Sequence, residues 1–221
     1  PVQYWIGSAS VNFSFRSADN GGHQTERKLR TPMASGDGSK AGDTGEDARV
    51  SRTRADVARA ALEVLTTDGS DAVTHARVAE IAGYSKTTLY THWPARIDLI
   101  AMAIESLGDM PHHDRTGVLR DDLIGELKVF RAGVLDMRLD RVLSGMAEWA
   151  SVEQMARIRQ KVNTDGQHQM YEMLGEIFSG AALDAAVSML TGVVACPAIM
   201  FGNVPDDAVI EAAVDVVLNG H

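Results

Sequence analysis

The stretch from Thr74 to Ile97, THARVAEIAGYSKTTLYTHWPARI, constrains this chain more than any other. Val78, Ile81 and Leu89 are placed to point inward from two short helices, and Ala79 is small enough to let those helices cross closely. Gly83 falls where the turn between them needs positive φ, which Gly adopts without a Cβ penalty. Ser85 supplies an N-cap hydroxyl for a helix running Lys86 to His92. Trp93 precedes Pro94, which disfavours its α conformation and stops that helix. Pro94 in turn suits the first position of a third helix. Such punctuation predicts a helix-turn-helix whose second helix has barely two turns.

Face arithmetic at about 100° per residue sorts the side chains of that short helix. With Leu89 inward, Thr87 and Thr91 lie on the opposite side, Thr88 and Tyr90 flank them, and Lys86 projects from the start. Hydroxyls and a single cation at a helix N-terminus fit major-groove base edges and phosphates better than an apolar partner. The competing reading is a surface helix that caps a bundle, which would need no such tight punctuation on both sides. Lys86, Thr87, Thr88 and Thr91 are expected to approach bases, and Thr74, Tyr90, His92 and Arg96 to hold phosphates.

ARVAEIAGYSKTTLYTHWPARIDLI resembles the DNA-binding domain of the tetracycline-repressor (TetR) family of bacterial regulators. With the helix before it, the likeness covers roughly Arg52 to Ile104. Two residues depart from the usual pattern: Trp93 replaces a Phe, and Ala95 a Ser or Thr. The resemblance implies an all-α fold with an N-terminal three-helix DNA-binding domain (48–97) and a C-terminal helical ligand-binding and dimerisation domain (98–221). It further implies a homodimer on double-stranded, palindromic operator DNA, released by a small apolar effector of unknown identity. The alternative function keeps the fold as a structural or partner-binding protein controlled by another protein.

The chain's net charge of −9 is unevenly spread. Residues 49–97 carry seven Lys or Arg and five Asp or Glu, net +2, leaving −11 elsewhere. That polarity favours docking on DNA by one end. Residues 1–47, rich in Gly, Ser, Asp and Asn, read as a disordered extension, though YWIG and VNFSF could pair as strands. Met33 is the expected start of the native product, with HQTERKLR alternatively a basic arm touching DNA.

From Ser51, Val57, Ala60, Ala61, Val64 and Leu65 recur at helical spacing up to Asp68-Gly69. Arg52 and Arg54 at its start suit either DNA backbone or surface solubility. The helix after Pro94 continues to Leu107 and links the two domains. GDMPHHDRTG reads as a solvated linker, since its adjacent His112, His113 and Asp114 cannot ligate one metal well. Helices are expected over Leu119–Met137, Leu139–Ser151, Val152–Ser179, Ala182–Phe201 and Asp206–Leu218, with a kink or break near Val193 from Pro197. The last two carry broad apolar stripes resembling the family's four-helix dimer interface. The body is rich in Met, which fills cores but also suits apolar pockets. Given the family, Phe130, Met146, Trp149 and Met173 are the expected pocket residues.

Cys196 is the only cysteine, so no intrachain disulfide forms. No apolar run is read as reaching the ~20 residues of a membrane span, so a cytoplasmic protein without membrane contact is expected. No Ser/His/Asp or Cys/His arrangement, phosphate-cradling Gly loop or metal spacing occurs, so no enzyme activity, metal or cofactor is expected.

Overall fold

A computed structural model describes residues 2–6, 9–13 and 43–220. Two strands, β1 (Val2–Ile6) and β2 (Ala9–Phe13), pair antiparallel with Val2 opposite Phe13. Every other regular element among the described residues is helical. Of the extension read as disordered, residues 43–47 are helical, and residues 14–42, with Met33 and HQTERKLR, lie outside the described residues.

Helix α1 (Asp43–Asp68) starts well before the apolar periodicity does, its first residues being the polar lead-in DTGEDARV. Its apolar stripe is as spaced: Val57, Ala60, Ala61, Val64 and Leu65 are buried. A 3₁₀ turn, Ser70–Ala72, leads to α2 (His75–Ala82), α3 (Lys86–His92) and α4 (Arg96–Glu105). Helices α2 and α4 pack against α1, and Val78, Ala79, Leu89 and Trp93 close the core between them.

The body is built from α5 (Leu119–Asp136), α6 (Leu139–Glu148), α7 (Glu153–Leu174), α8 (Gly180–Phe201) and α9 (Asp207–Asn219). Helix α8 packs on α5, α6, α7 and α9, and one apolar core runs continuously from the small domain into this bundle. Helix α9 is pinned to α5 by Arg120, bidentate on Asp215 at 2.6 and 2.9 Å, and by Arg131 on Asp207 at 2.6 Å.

Several boundaries differ from the sequence reading. Pro94 lies outside α4, not at its first turn: Ala95 is the N-cap, and its N–H donates to Asp98 Oδ2 at 2.9 Å. Helix α8 ends at Phe201 as expected, with Pro197 inside it and the helix unbroken near Val193. Helix α8 is also long and apolar enough, by length and composition, to cross a membrane. The expectation that no run reaches that length is therefore corrected; here the helix packs within the bundle. Helix α7 ends at Leu174, whose carbonyl accepts from Ile177 N and Phe178 N.

The segment between α4 and α5 is no solvated linker. Its His112 Nδ1 lies 2.6 Å from Glu126 Oε1, and His113 N donates to Glu126 Oε2 at 2.9 Å. Thr116 N, Thr116 Oγ1 and Gly117 N all donate to Asp122, at 2.6, 2.7 and 3.0 Å. Gly125 makes this docking possible: a Cβ there would lie 2.5 Å from the His113 ring.

Candidate nucleic-acid interface and effector cavity

The reading helix is set by local chemistry at both ends. Gly83 takes φ 76° and its N–H donates to Ala79 O, closing α2. Ser85 Oγ then accepts from Thr88 N at 3.1 Å and bonds the Thr88 hydroxyl at 2.8 Å. Satisfying one of the orphan N–H groups of so short a helix is worth about 1 kcal/mol. Trp93, buried and at φ −133°, ψ 78°, is the C-cap. Tyr84 Oη donates to Asp56 Oδ2 at 3.0 Å, tying the turn to α1.

Leu89 is fully buried, and Lys86, Thr87, Tyr90, Thr91 and His92 are exposed. Thr88 is half-buried, because its hydroxyl turns back to Ser85. The Thr91 hydroxyl donates to Thr87 O at 2.8 Å, leaving its oxygen lone pairs and methyl to face outward. Thr74 Oγ1 caps α2 by accepting from Arg77 N at 3.2 Å. Within this domain Arg54, Arg59, Arg77 and Arg96 are each paired with a carboxylate. Lys86 has no ion-pair partner among the described residues.

A residue that sequence reasoning missed supports this surface. His75 is buried, its Nε2–H donates to Trp93 O at 2.6 Å, and its ring stacks on Tyr90 with centroids 4.0 Å apart and planes at 14°. The exposed Tyr90 ring is thus held from beneath.

Arg96 points away from the exposed face. Its guanidinium donates to Ser70 O at 2.7 Å, lies 3.2 Å from Asp71 and 3.6 Å from Glu148, and sits over the Trp149 ring at 5.5 Å. Ser70 Oγ also bonds Glu148. Arg96 therefore joins the turn before α2 to the end of α6: its Nη2 meets all three oxygens, an inward position where a phosphate contact was expected, while its buried Nε has no hydrogen-bond partner among the described residues.

A cavity of about 270 Å³ lies in the body among α5, α6, α7 and α8, just below the ~300–1,000 Å³ usual for ligand sites. Val129, Phe130, Leu139, Val142, Leu143 and Met170 make much of its wall, and Glu126 is its sole charged lining residue. Of the four expected pocket residues only Phe130 lines it. Met146 and Met173 are fully buried in the core, and Trp149 caps α6 beneath Arg96. Helix α6 turns Leu139, Val142 and Leu143, not Met146, toward the gap.

A second apolar feature lies outside. Helices α8 and α9 present a groove lined by Met189, Val193, Val209, Ala212, Val216 and Val217. Met189, Val209 and Val216 are each about half exposed, at 54%, 50% and 45%.

Residues 57–102 match the family described as bacterial regulatory proteins, tetR family. An uncharacterised HTH-type transcriptional regulator of Mycobacterium tuberculosis is 28% identical over 169 residues, covering 71% of this chain and 81% of that protein. A DNA-binding transcriptional repressor TetR of Mycobacteroides abscessus is 39% identical over 74 residues, 32% of this chain and 38% of its own length. Among solved structures, a TetR family transcription regulator superposes with a TM-score of 0.53 at 27% identity, covering 76% of this chain and 98% of that one. A tetR-family regulator from Streptomyces coelicolor gives 0.62 at 18% identity over 76% and 80%.

Proposed function

We propose that the chain, whose residues 57–102 match the tetR family of bacterial regulatory proteins, is a DNA-binding transcriptional regulator of that family and not an enzyme: a cytoplasmic, ligand-responsive repressor. It binds a palindromic operator as a homodimer and is released by a small apolar effector. The observation that carries this is the outward face of α3. Lys86, Thr87 and Thr91 stand free of the core on a helix capped at both ends, beside a Tyr90 ring held on His75.

In this reading Lys86, Thr87 and Thr91 reach base edges, with Thr88 at the helix start, and Tyr90, His92 and Thr74 hold phosphates. The N-terminal domain spans residues 48–97 and the body 98–221. The exposed α8–α9 groove supports dimerisation, since contiguous apolar patches of this kind mark interaction sites. Two α3 helices then sit roughly 34–36 Å apart, one helical turn of DNA.

Helix α6 supports a route from effector to DNA. Its Leu139, Val142 and Leu143 line the cavity, while Glu148 and Trp149 at its other end hold Arg96 and Ser70. An occupant that favours a displaced α6 shifts α4 and the turn before α2, and so the separation of the reading heads. A coupling of about 1–3 kcal/mol suffices for a roughly 5- to 150-fold loss of operator affinity. Footprinting on DNA flanking the chain's own gene tests the proposal. Protection of an inverted repeat is the expected result. Absence of any sequence preference at low salt would overturn it in favour of a partner-controlled protein.

A further inference from the structure

Taking the α5–α8 cavity as the effector site proposed above, we infer that its occupant is an uncharged one- or two-ring molecule carrying a hydrogen-bond donor, a hydroxyl or N–H, that Glu126 reads. Glu126 is only 4% exposed and is the one charged residue lining a cavity whose other polar lining side chains, Asn163, Gln167, Ser188 and Thr191, are neutral. A carboxyl so placed is costly unless its lone pairs are used.

Its existing partners fix its net charge. His112 Nε2 lies 3.0 Å from the carbonyl oxygen of Asp165, so that nitrogen carries a hydrogen. His112 Nδ1 lies 2.6 Å from Glu126 Oε1, so a second hydrogen lies between those atoms. Wherever on that line it sits, the imidazole and the carboxyl together are neutral. His113 N donates to the other oxygen, Oε2, at 2.9 Å. The other titratable groups packed around the pair are His168 on α7, edge-on to His112 at 4.4 Å, and His113 itself, whose Nε2 is 3.7 Å from Asp122 on α5. Helix α8 adds no charged side chain to the wall.

Each carboxylate oxygen can accept two hydrogen bonds, and each has one partner here. The cavity therefore ends in an acceptor with unused capacity and no net charge. A neutral donor uses that capacity. A cation would bring an uncompensated charge into an apolar space unless it expelled the shared proton. An anion would meet an acceptor and be rejected. A plain hydrocarbon would leave the capacity unused.

A shape-matched series tests this on the unmodified, full-length chain: 2-methylnaphthalene, 2-naphthylmethanol, 2-naphthylmethylammonium and 2-naphthoate, titrated by calorimetry at pH 7 in two buffers of different ionisation enthalpy. The alcohol should bind about tenfold tighter than the hydrocarbon, the effect of one hydrogen bond at the upper end of the usual range. Both ions should bind at least about tenfold more weakly than the alcohol, and alcohol binding should release no proton. Glu126→Leu, which removes the acceptor, should bring alcohol and hydrocarbon within about twofold, while Ala195→Phe, which fills the cavity, should weaken every probe alike. Tightest binding by the ammonium with release of a proton, or by the naphthoate, would overturn the inferred class. Equal binding of all four would do the same while leaving the cavity standing as a site. Binding of none would remove the site and the inference together.

Discussion

Tyr90→Phe removes one hydroxyl from each protomer and leaves the ring in place. The ring rests on His75 at 4.0 Å, and His75 is itself fixed by its 2.6 Å bond to Trp93 O. Tyr90 is 54% exposed, so a phosphate it holds keeps partial access to water. The contact then belongs at the low end of hydrogen bonds to charged groups, about 1.5 kcal/mol. A dimer on a palindrome makes it twice, so operator affinity should fall by about 3 kcal/mol, roughly 100-fold. The lost group is uncharged and releases no counterion, so the slope of log affinity against log salt should stay unchanged. Fluorescence anisotropy with a labelled operator at several salt concentrations measures both, and thermal melting confirms an intact fold. A variant within twofold of the parent at every salt concentration would refute the phosphate contact, and a shallower slope would show that a charged group had moved.

Three further outcomes follow from other parts of the molecule. Lys86→Ala should change the preferred base at one position of each half-site by about 1–3 kcal/mol, and Thr87→Ala by less; uniform weakening in an operator-randomisation assay would reassign both to the phosphates. The Thr116 hydroxyl first, then the Thr116 and Gly117 amides, hold the Asp122 carboxyl below its usual 3.8 despite burial. Its stabilisation is therefore full above that value and lost as pH falls through the lower folded-state value. Asp122→Asn should be clearly less stable than the parent in urea at pH 7, with a gap that begins to narrow as pH falls below about 4, whereas a gap constant with pH would refute the account. Truncation before Asp206 removes α9 and most of the apolar groove, so sedimentation should show monomers; persisting dimers would place the interface elsewhere.

What the sequence revealed and what it hid divide along the range of the interactions. Gly83, Ser85 and Trp93 act on backbone within four residues of themselves, so their roles could be read directly. His75 escaped notice because its partner, the Trp93 carbonyl, is 18 residues away and offers no side-chain signal. Arg96 looked like a free cation at a helix start; only the packing of α6 on the turn before α2 supplies Glu148 and Ser70 to capture it. His112 and His113 were weighed as a metal pair or a solvated loop, yet their partners are carboxylates on α5. A signal existed there: Asp122 and Glu126 are four apart among buried Leu123 and Leu127, and carboxylates on a buried stripe demand donors. Which residues face the cavity was not readable, because Met146 and Met173 have the same helical periodicity as true lining residues and differ only in how four helices splay.

The spacing of the operator's half-sites tests the central claim, two α3 helices held at fixed separation by one dimer. In the sequence located by footprinting, five base pairs inserted between the half-sites turn one onto the opposite face of the duplex. Binding should fall to the nonspecific level, and an operator carrying a single half-site should bind no better than this variant. Unchanged affinity for the insertion would contradict the account, because each head would then be reading DNA by itself.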